Sequence, residues 1–289
     1  MTASVAIATC SELPDLDAEG RLLRDALRAC GADAQAAVWN EDHEWDRFDA
    51  VILRTTWDYF HRIGEFLAWA RQIGSRLINP PGMVEWAADK RYLLELAGDG
   101  IPVVPTQYIE PGGRFELPPG QFVVKPAISA GVNDAATYDQ HRVEAALAHV
   151  RALHRAGRAV LIQPYFRRVD VDAETGVVFI AGEISHTVRK GPLLSLDRPI
   201  EHGPWREEDM SARPPEPDML GLARRVHDLA AARFGIPLYA RVDALRDDDG
   251  LPVVLELELV EPSLFLQFEP GSAARLAGAL LERIRCSVC

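Results

Sequence analysis

Residues 239–268 read YARVDALRDDDGLPVVLELELVEPSLFLQF, two alternating runs joined by an acidic break. From Tyr239 to Leu245 the alternation of a half-buried strand puts Arg241 and Asp243 on one face, and from Val254 to Val260 it does the same for Glu256 and Glu258. Between them stands RDDDG, whose Asp249-Gly250 pair is a strong hairpin signal. Closing the hairpin there brings Asp243 to within about a residue of the position opposite Glu256. Three carboxylates then crowd one small area and repel unless protons or cations neutralise them. A hard divalent cation suits an all-oxygen donor set with no His or Cys beside it, so Asp243, Glu256 and Glu258 are candidate ligands for Mg2+. The alternative is a hairpin whose acidic face is simply solvated. Arg241 on the same face, and the motifs upstream, favour the metal.

The composition, 48% hydrophobic and 26% charged over 289 residues, is that of an ordinary globular protein with room for a sizeable core. A formal net charge of -12 argues against sequence-independent nucleic-acid binding and leaves the local basic groups as anion sites. No apolar run is long enough to span a bilayer and the N-terminal residues lack a signal-peptide pattern, so no membrane partner and a cytoplasmic location are expected. Four cysteines make no disulfide framework, and the terminal Cys286-Ser-Val-Cys289 lacks partners for a zinc site and reads as inert.

Upstream, SVAIATC, DAQAAVWN and FDAVILRTTWDY read as strands alternating with helices, which predicts a small parallel sheet. Ligands of such sheets sit beyond the carboxyl ends of the strands, where Arg54, Thr55, Thr56, Trp57, Asp58 and Tyr59 fall. Arg54 is suited to grip a carboxylate and Asp58 an amine, while Trp57 and Tyr59 fit either a binding wall or packing. Next, a helix carries Lys90, and the strand FVVKP ends at Lys125 beside a small-residue loop, Ser129-Ala130-Gly131. An ammonium at a strand end next to flexible backbone is a weak phosphate-site signal, and neither a P-loop nor a GxGxxG is present. In QPYF, Gln163, Tyr165 and Phe166 offer a polar edge and an aromatic face suited to a purine. A second hairpin, VDAETGVVFIAGEISHTVRK, turns at Gly182 and carries His186, which reads as structural on its own, and the basic end Arg189-Lys190. The proline-rich, charged stretch 192–218 reads as a surface loop or lid.

In order and spacing these segments resemble the ATP-grasp superfamily of carboxylate–amine ligases, over nearly the whole chain: Lys90 in AADKRYLLELAGDGIPVVPT, Lys125 in FVVKP, the Ser-Ala-Gly loop, the QPYF strand, and Asp243 with Glu256-Leu-Glu258. The resemblance implies an α/β fold of α+β subdomains: a Rossmann-like pre-ATP-grasp substrate domain over 1–85, a central lid subdomain over 86–165 and a metal-binding subdomain over 166–289. It further implies ATP held at Lys90, Lys125, the Ser129–Gly131 loop, Gln163, Tyr165 and Phe166. Arg241 and Lys190 become catalytic, and residues 54–59, His186 and Arg189 face the substrate. The chain departs from the family at Glu258, where Asn is usual. Within the superfamily, LRTTWDY, GEISHTVRK and LELELVEPSLFL are similar to a bacterial group of small glutathione-synthetase-like ligases whose chemistry includes closing O-ureido-D-serine to D-cycloserine. A small amino-acid-like substrate is the implied partner. An intermolecular amino-acid or peptide ligase and a non-catalytic nucleotide-binding module are the rivals, and self-association into a homo-oligomer stays open.

Overall fold

A computed structural model describes residues 2–192, 194, 196 and 209–287. Strands β1 (Ser4–Thr9), β2 (Asp33–Val38), β3 (Ala50–Thr55) and β4 (Leu77–Ile78) form the expected parallel sheet, in the order β2-β1-β3-β4. Parallel strands are covered on both faces, and this sheet shows how. Val5, Ile7, Ala50 and Ile52 pack in a cluster with Leu23 and Leu27 of α1 (Ala18–Ala29) and with Leu276, Leu280 and Ile284 of α8 (Ser272–Ser287). Ala6, Ala8, Val51 and Leu53 face the opposite way, onto Phe66 and Trp69 of α2 (Ile63–Ile73) and Val84 of α3 (Pro81–Ala88).

The C-terminal sheet runs β11-β10-β9-β12-β13. Its strands are β9 (Glu174–Ile180), β10 (Glu183–Lys190), β11 (Met210–Ala212), β12 (Tyr239–Arg246) and β13 (Pro252–Glu258). The β9–β10 turn sits where expected, with Ala181 and Gly182 at φ 51° and 86°. In β12–β13 Asp243 stands opposite Glu256 and Arg241 opposite Glu258, with a register shift just after Asp243. The connection is a five-residue loop over 247–251, in which the Gly250 N–H donates to the Asp247 carbonyl at 2.9 Å. Val177, Phe179, Ala240 and Val242 meet α7 (Pro217–Phe234) in the same cluster as one face of the N-terminal sheet, while Val178, Ile180 and Tyr239 join the other cluster. The N- and C-terminal units therefore share both of their cores. Asn79 clamps the joint: its amide donates to the Tyr239 and Leu259 carbonyls at 2.9 and 2.8 Å and accepts from the Leu238 N–H at 2.9 Å.

The central sheet, in the order β5-β8-β6-β7, comprises β5 (Gln107–Ile109), β6 (Phe122–Pro126), β7 (Ala136–Tyr138) and β8 (Val160–Pro164), with α5 (Val143–Arg155) on one face. Phe122, Val124 and Ile162 point toward α5 and form a separate cluster with Ala146, Val150 and Leu153. Val123, Lys125 and Gln163, at the alternate positions, line a cavity on the other face.

Two expectations are corrected. Lys90 is not inside a helix: it sits in the break between α3 and α4 (Tyr92–Gly98), where its N–H donates to the Ala127 carbonyl at 3.0 Å and so joins the break to the end of β6. Of the stretch expected as a loop or lid, residues 193, 195 and 197–208 lie outside the described residues, and Met210–Ala212 is a strand because β10 offers it a free edge. Cys289 also lies outside them; Cys286 is exposed and free. No helix among the described residues is long and apolar enough to cross a membrane.

Candidate active site

The central sheet and the β12–β13 hairpin face each other across a cavity of about 540 Å3. Strand alternation decides which charges reach it. Lys125 and Gln163 come from the central sheet, and Lys190, Arg241, Glu256 and Glu258 from the ends and inner faces of the C-terminal strands. Lys90 enters through the helix break, the loop Ser129-Ala130-Gly131 closes one side with Gly131 at φ 57°, and Tyr165 and Phe166 follow β8 at the rim.

Among the described residues, every one of these cations but Lys125 forms an ion pair with a carboxylate. Lys90 Nζ lies 2.9 Å from Glu256 Oε1 and donates to the Ser129 carbonyl at 2.9 Å. Lys190 Nζ bridges Asp243 Oδ2 at 2.6 Å and Glu174 Oε2 at 3.3 Å. Arg241 donates to both Asp243 oxygens at 2.8 and 3.0 Å, to Glu258, and to the Ser263 carbonyl at 2.6 Å. Burial alone would raise the Asp243 carboxyl, but Arg241 and Lys190 overcome it and hold it down to about 2. Burial likewise opposes ionisation of Glu256, yet Lys90 and Lys125 keep it below the usual carboxylate range. At Glu258 burial wins: with Asp243 and Glu256 adding repulsion against the pull of Arg241, its carboxyl is pushed up to about 8. Burial lowers the Lys125 ammonium, against the pull of Glu256.

The predicted crowding of carboxylates is thus present in the expected register, but the chain supplies its own counter-charges. Asp243 does not line the cavity, its oxygens being taken by Arg241 and Lys190. Among the described residues no group of three or more His, Cys, Asp or Glu side chains stands ready to hold a metal ion. Glu256 and Glu258 do reach the cavity, on one face of β13 with no His or Cys in its lining. They fit a hard divalent cation, which would replace the proton that Glu258 retains.

The substrate segment divides differently from the expectation. Trp57 and Tyr59 line the cavity; Arg54, Thr55, Thr56 and Asp58 do not. Arg54, 3% exposed, is paired with Glu19 and donates to the Pro262 carbonyl at 2.7 Å. Thr55 shares a 2.6 Å hydrogen bond with Thr9, the Thr56 hydroxyl is buried, and Asp58 accepts from the Trp39 indole at 2.7 Å and from Arg62 at 3.3 Å. His186 donates from Nε2 to the Leu264 carbonyl at 2.8 Å, and Arg189 reaches Asp209 at 2.8 Å; neither lines the cavity.

The Arg54 and His186 contacts converge on residues 261–268, which form the cavity wall after β13. Glu19, in the first turn of α1, accepts from the Leu264 and Leu266 N–H groups at 2.9 and 3.2 Å. Ser272 donates to the Leu266 carbonyl at 2.9 Å, and Phe265 is held at φ 54°, a conformation residues with side chains rarely adopt. Arg54, Glu19, His186 and Arg241 thus fix a loop that presents Glu261, Ser263 and Phe265 to the cavity. Sequence reading missed Glu19, Glu174 and Glu261. The last stands in the quoted ELVEPSLF segment, but just beyond the alternating strand that drew attention to its neighbours.

Comparison with known proteins extends over the whole chain. A family profile described as "D-cycloserine synthetase DcsG, N-terminal domain" matches residues 5–79. The chain is 37% identical over 281 residues to the cycloserine biosynthesis protein DcsG of Streptomyces lavendulae, covering 91% of this chain and 93% of that protein. A crystal structure of D-cycloserine synthetase DcsG superposes with a TM-score of 0.89 at 36% identity, covering 98% of this chain and 100% of that one. The ATP-grasp ligase PsnB, solved with a phosphomimetic variant of its minimal precursor, Mg and ADP, shares the fold at a TM-score of 0.61 and 17% identity, over 98% of this chain and 99% of that one. Nucleotide and magnesium are thus typical companions of this architecture. With 37% identity over nine-tenths of both lengths and the fold shared end to end, the chain belongs to the D-cycloserine synthetase DcsG family, and its fold is that of the ATP-grasp ligases.

Proposed function

We propose that this chain is an ATP-dependent ligase that closes O-ureido-D-serine to D-cycloserine through an acyl phosphate. The observation that carries the reading is the cavity itself: Lys90, Lys125, Lys190 and Arg241 converge on one space beside Glu256 and Glu258, in a chain similar throughout to a D-cycloserine synthetase. A carboxylate attacking a triphosphate brings two anions together, so positioned cations carry most of the catalysis.

In the proposed reaction a carboxylate oxygen of the substrate bonds to the γ-phosphorus and the bond to ADP breaks. The ureido nitrogen bound to the side-chain oxygen then attacks the acyl carbon, phosphate leaves with the bonding electrons, and the carbamoyl group passes to water. Lys90 and Lys125, with the Ser129–Gly131 backbone, hold the α and β phosphates. Lys190 and Arg241 meet the transferring phosphate and the acyl oxygen, and Gln163, Tyr165 and Phe166 receive the base. Magnesium, held by Glu256 and Glu258 with Asp243 behind them, would neutralise phosphate charge. Trp57, Tyr59 and Phe265, all on the cavity wall, exclude water from the electrophile.

ADP release measured with O-ureido-D-serine as the one organic substrate, with the product mass determined, tests the reading. Release dependent on a second amine would make the chain an intermolecular ligase, and nucleotide binding without turnover would make it a binding module.

A further inference from the structure

Four carboxylates line the cavity: Glu174, Glu256, Glu258 and Glu261. The first three lie against Lys190, Lys90 and Arg241 respectively. Glu261 is 7% exposed, and no hydrogen bond or ion pair engages its side chain among the described residues. A carboxylate so buried is costly unless something of opposite charge meets it. Burial pushes this one up to about 7, although Lys90 and Arg241 pull the other way.

The backbone that carries Glu261 is fixed on both sides. The Val260 carbonyl accepts from the Tyr239 hydroxyl at 2.9 Å, the Pro262 carbonyl from Arg54 at 2.7 Å and the Ser263 carbonyl from Arg241 at 2.6 Å. The side chain lines the cavity. Arg241, on β12, braces the same loop and lines the same cavity with its guanidinium engaged by Asp243, Glu258 and the Ser263 carbonyl, so a paired cation and an unmatched anion face whatever occupies the cavity.

We propose that Glu261 is the specificity-determining anchor for the amino group of the substrate, its carboxylate taking the ammonium of an α-amino acid whose own carboxylate is turned toward Arg241. The assignment rests on the cyclo-ligase reading and adds to it a means of orienting the substrate: with its ammonium and carboxylate both held, the ureido arm is the part left to fold back for ring closure.

The test compares wild type with Glu261→Gln on two substrates, O-ureido-D-serine and its des-amino analogue 3-(ureidooxy)propanoate, by steady-state ADP release at saturating ATP and magnesium. Losing one partner of a buried charge pair is expected to lower kcat/KM for the amine-bearing substrate at least ~30-fold, mainly through KM. The des-amino analogue should separate the two enzymes by no more than about threefold, and the KM for ATP, which also reports an intact fold, should not move. Equal losses on both substrates would overturn the anchor in favour of a general base or a structural role, and no loss on either would remove Glu261 from the site. Glu261→Asp, which keeps the charge on a shorter arm, should show the same substrate selectivity at smaller size, and supplies the comparison should the glutamine variant not fold. A wild type that releases no ADP from O-ureido-D-serine removes the cyclo-ligase reading and the anchor with it, whereas an active wild type with an indifferent Glu261→Gln removes the anchor alone.

Discussion

Arg54 and Arg241 are both buried arginines near the inner ends of strands, and each is paired with a carboxylate. Their surroundings give them opposite roles. Arg54 is enclosed by Glu19 and the Pro262 carbonyl and has no path to the cavity, whereas Arg241, though held by Asp243 and Glu258, lines it. A strand-end position in a parallel sheet therefore says where a ligand site tends to be, not which side chain reaches it. In this chain the outer arginine supports the loop and the inner one lines the cavity.

The largest expected effect falls on the inner arginine. Arg241→Met should lower ADP release on the order of 10²–10³-fold, and by leaving Asp243 to Lys190 alone it should cost up to roughly 3–5 kcal/mol in urea unfolding. Arg54→Met should cost a similar 3–5 kcal/mol, roughly, because Glu19 is left buried and uncompensated, while activity per folded molecule falls far less. A raised substrate KM with unchanged stability would return Arg54 to the substrate and erase the contrast between the two.

A pH series sharpens the comparison at the next level. Glu258, with an ordinary value of 4.5 and a folded value of about 8, keeps in the native state a proton that the unfolded chain gives up. Its contribution to stability is fully present below 4.5 and is lost as pH rises to about 8, with a slope of at most about 1.4 kcal/mol per pH unit. Glu258→Gln should remove one of the two carboxyl contributions to the magnesium-free stability curve, leaving that of Glu261, which ends near pH 7 rather than near 8. A variant curve that still falls as steeply would mean that the Glu258 proton is not where the site holds its excess charge. Smallest of all, Arg189→Ala removes a partly exposed pair with Asp209 outside the cavity and should change stability by no more than ~0.5 kcal/mol. A large loss of turnover there would extend the site to the edge of the sheet.

What could be read from the residues alone follows the reach of local rules. The hairpin register was legible because alternation and an Asp-Gly turn constrain it within thirty residues, and Lys125 and Gln163 were legible because each ends or lies on a short apolar strand. The Lys90 break was not, because the helical pattern runs on through it and the interruption is set by a backbone bond to Ala127. Nor was Glu19: it lies in the first turn of an ordinary amphipathic helix, and the N–H groups it accepts from belong to residues more than two hundred positions away. The charges of the hairpin were visible; their neutralisation by Lys90 and Lys190, from separate segments, was not.

The packing of α8 over α1 and the first sheet has a bearing on how the protein is made. Val5, Ile7 and Ile52 leave the ribosome early, yet the helix that roofs them carries Leu276, Leu280 and Ile284. Until α8 has followed, α1 alone covers that apolar face, and the rest of it depends on chaperones or on transient collapse to avoid sticking to its neighbours.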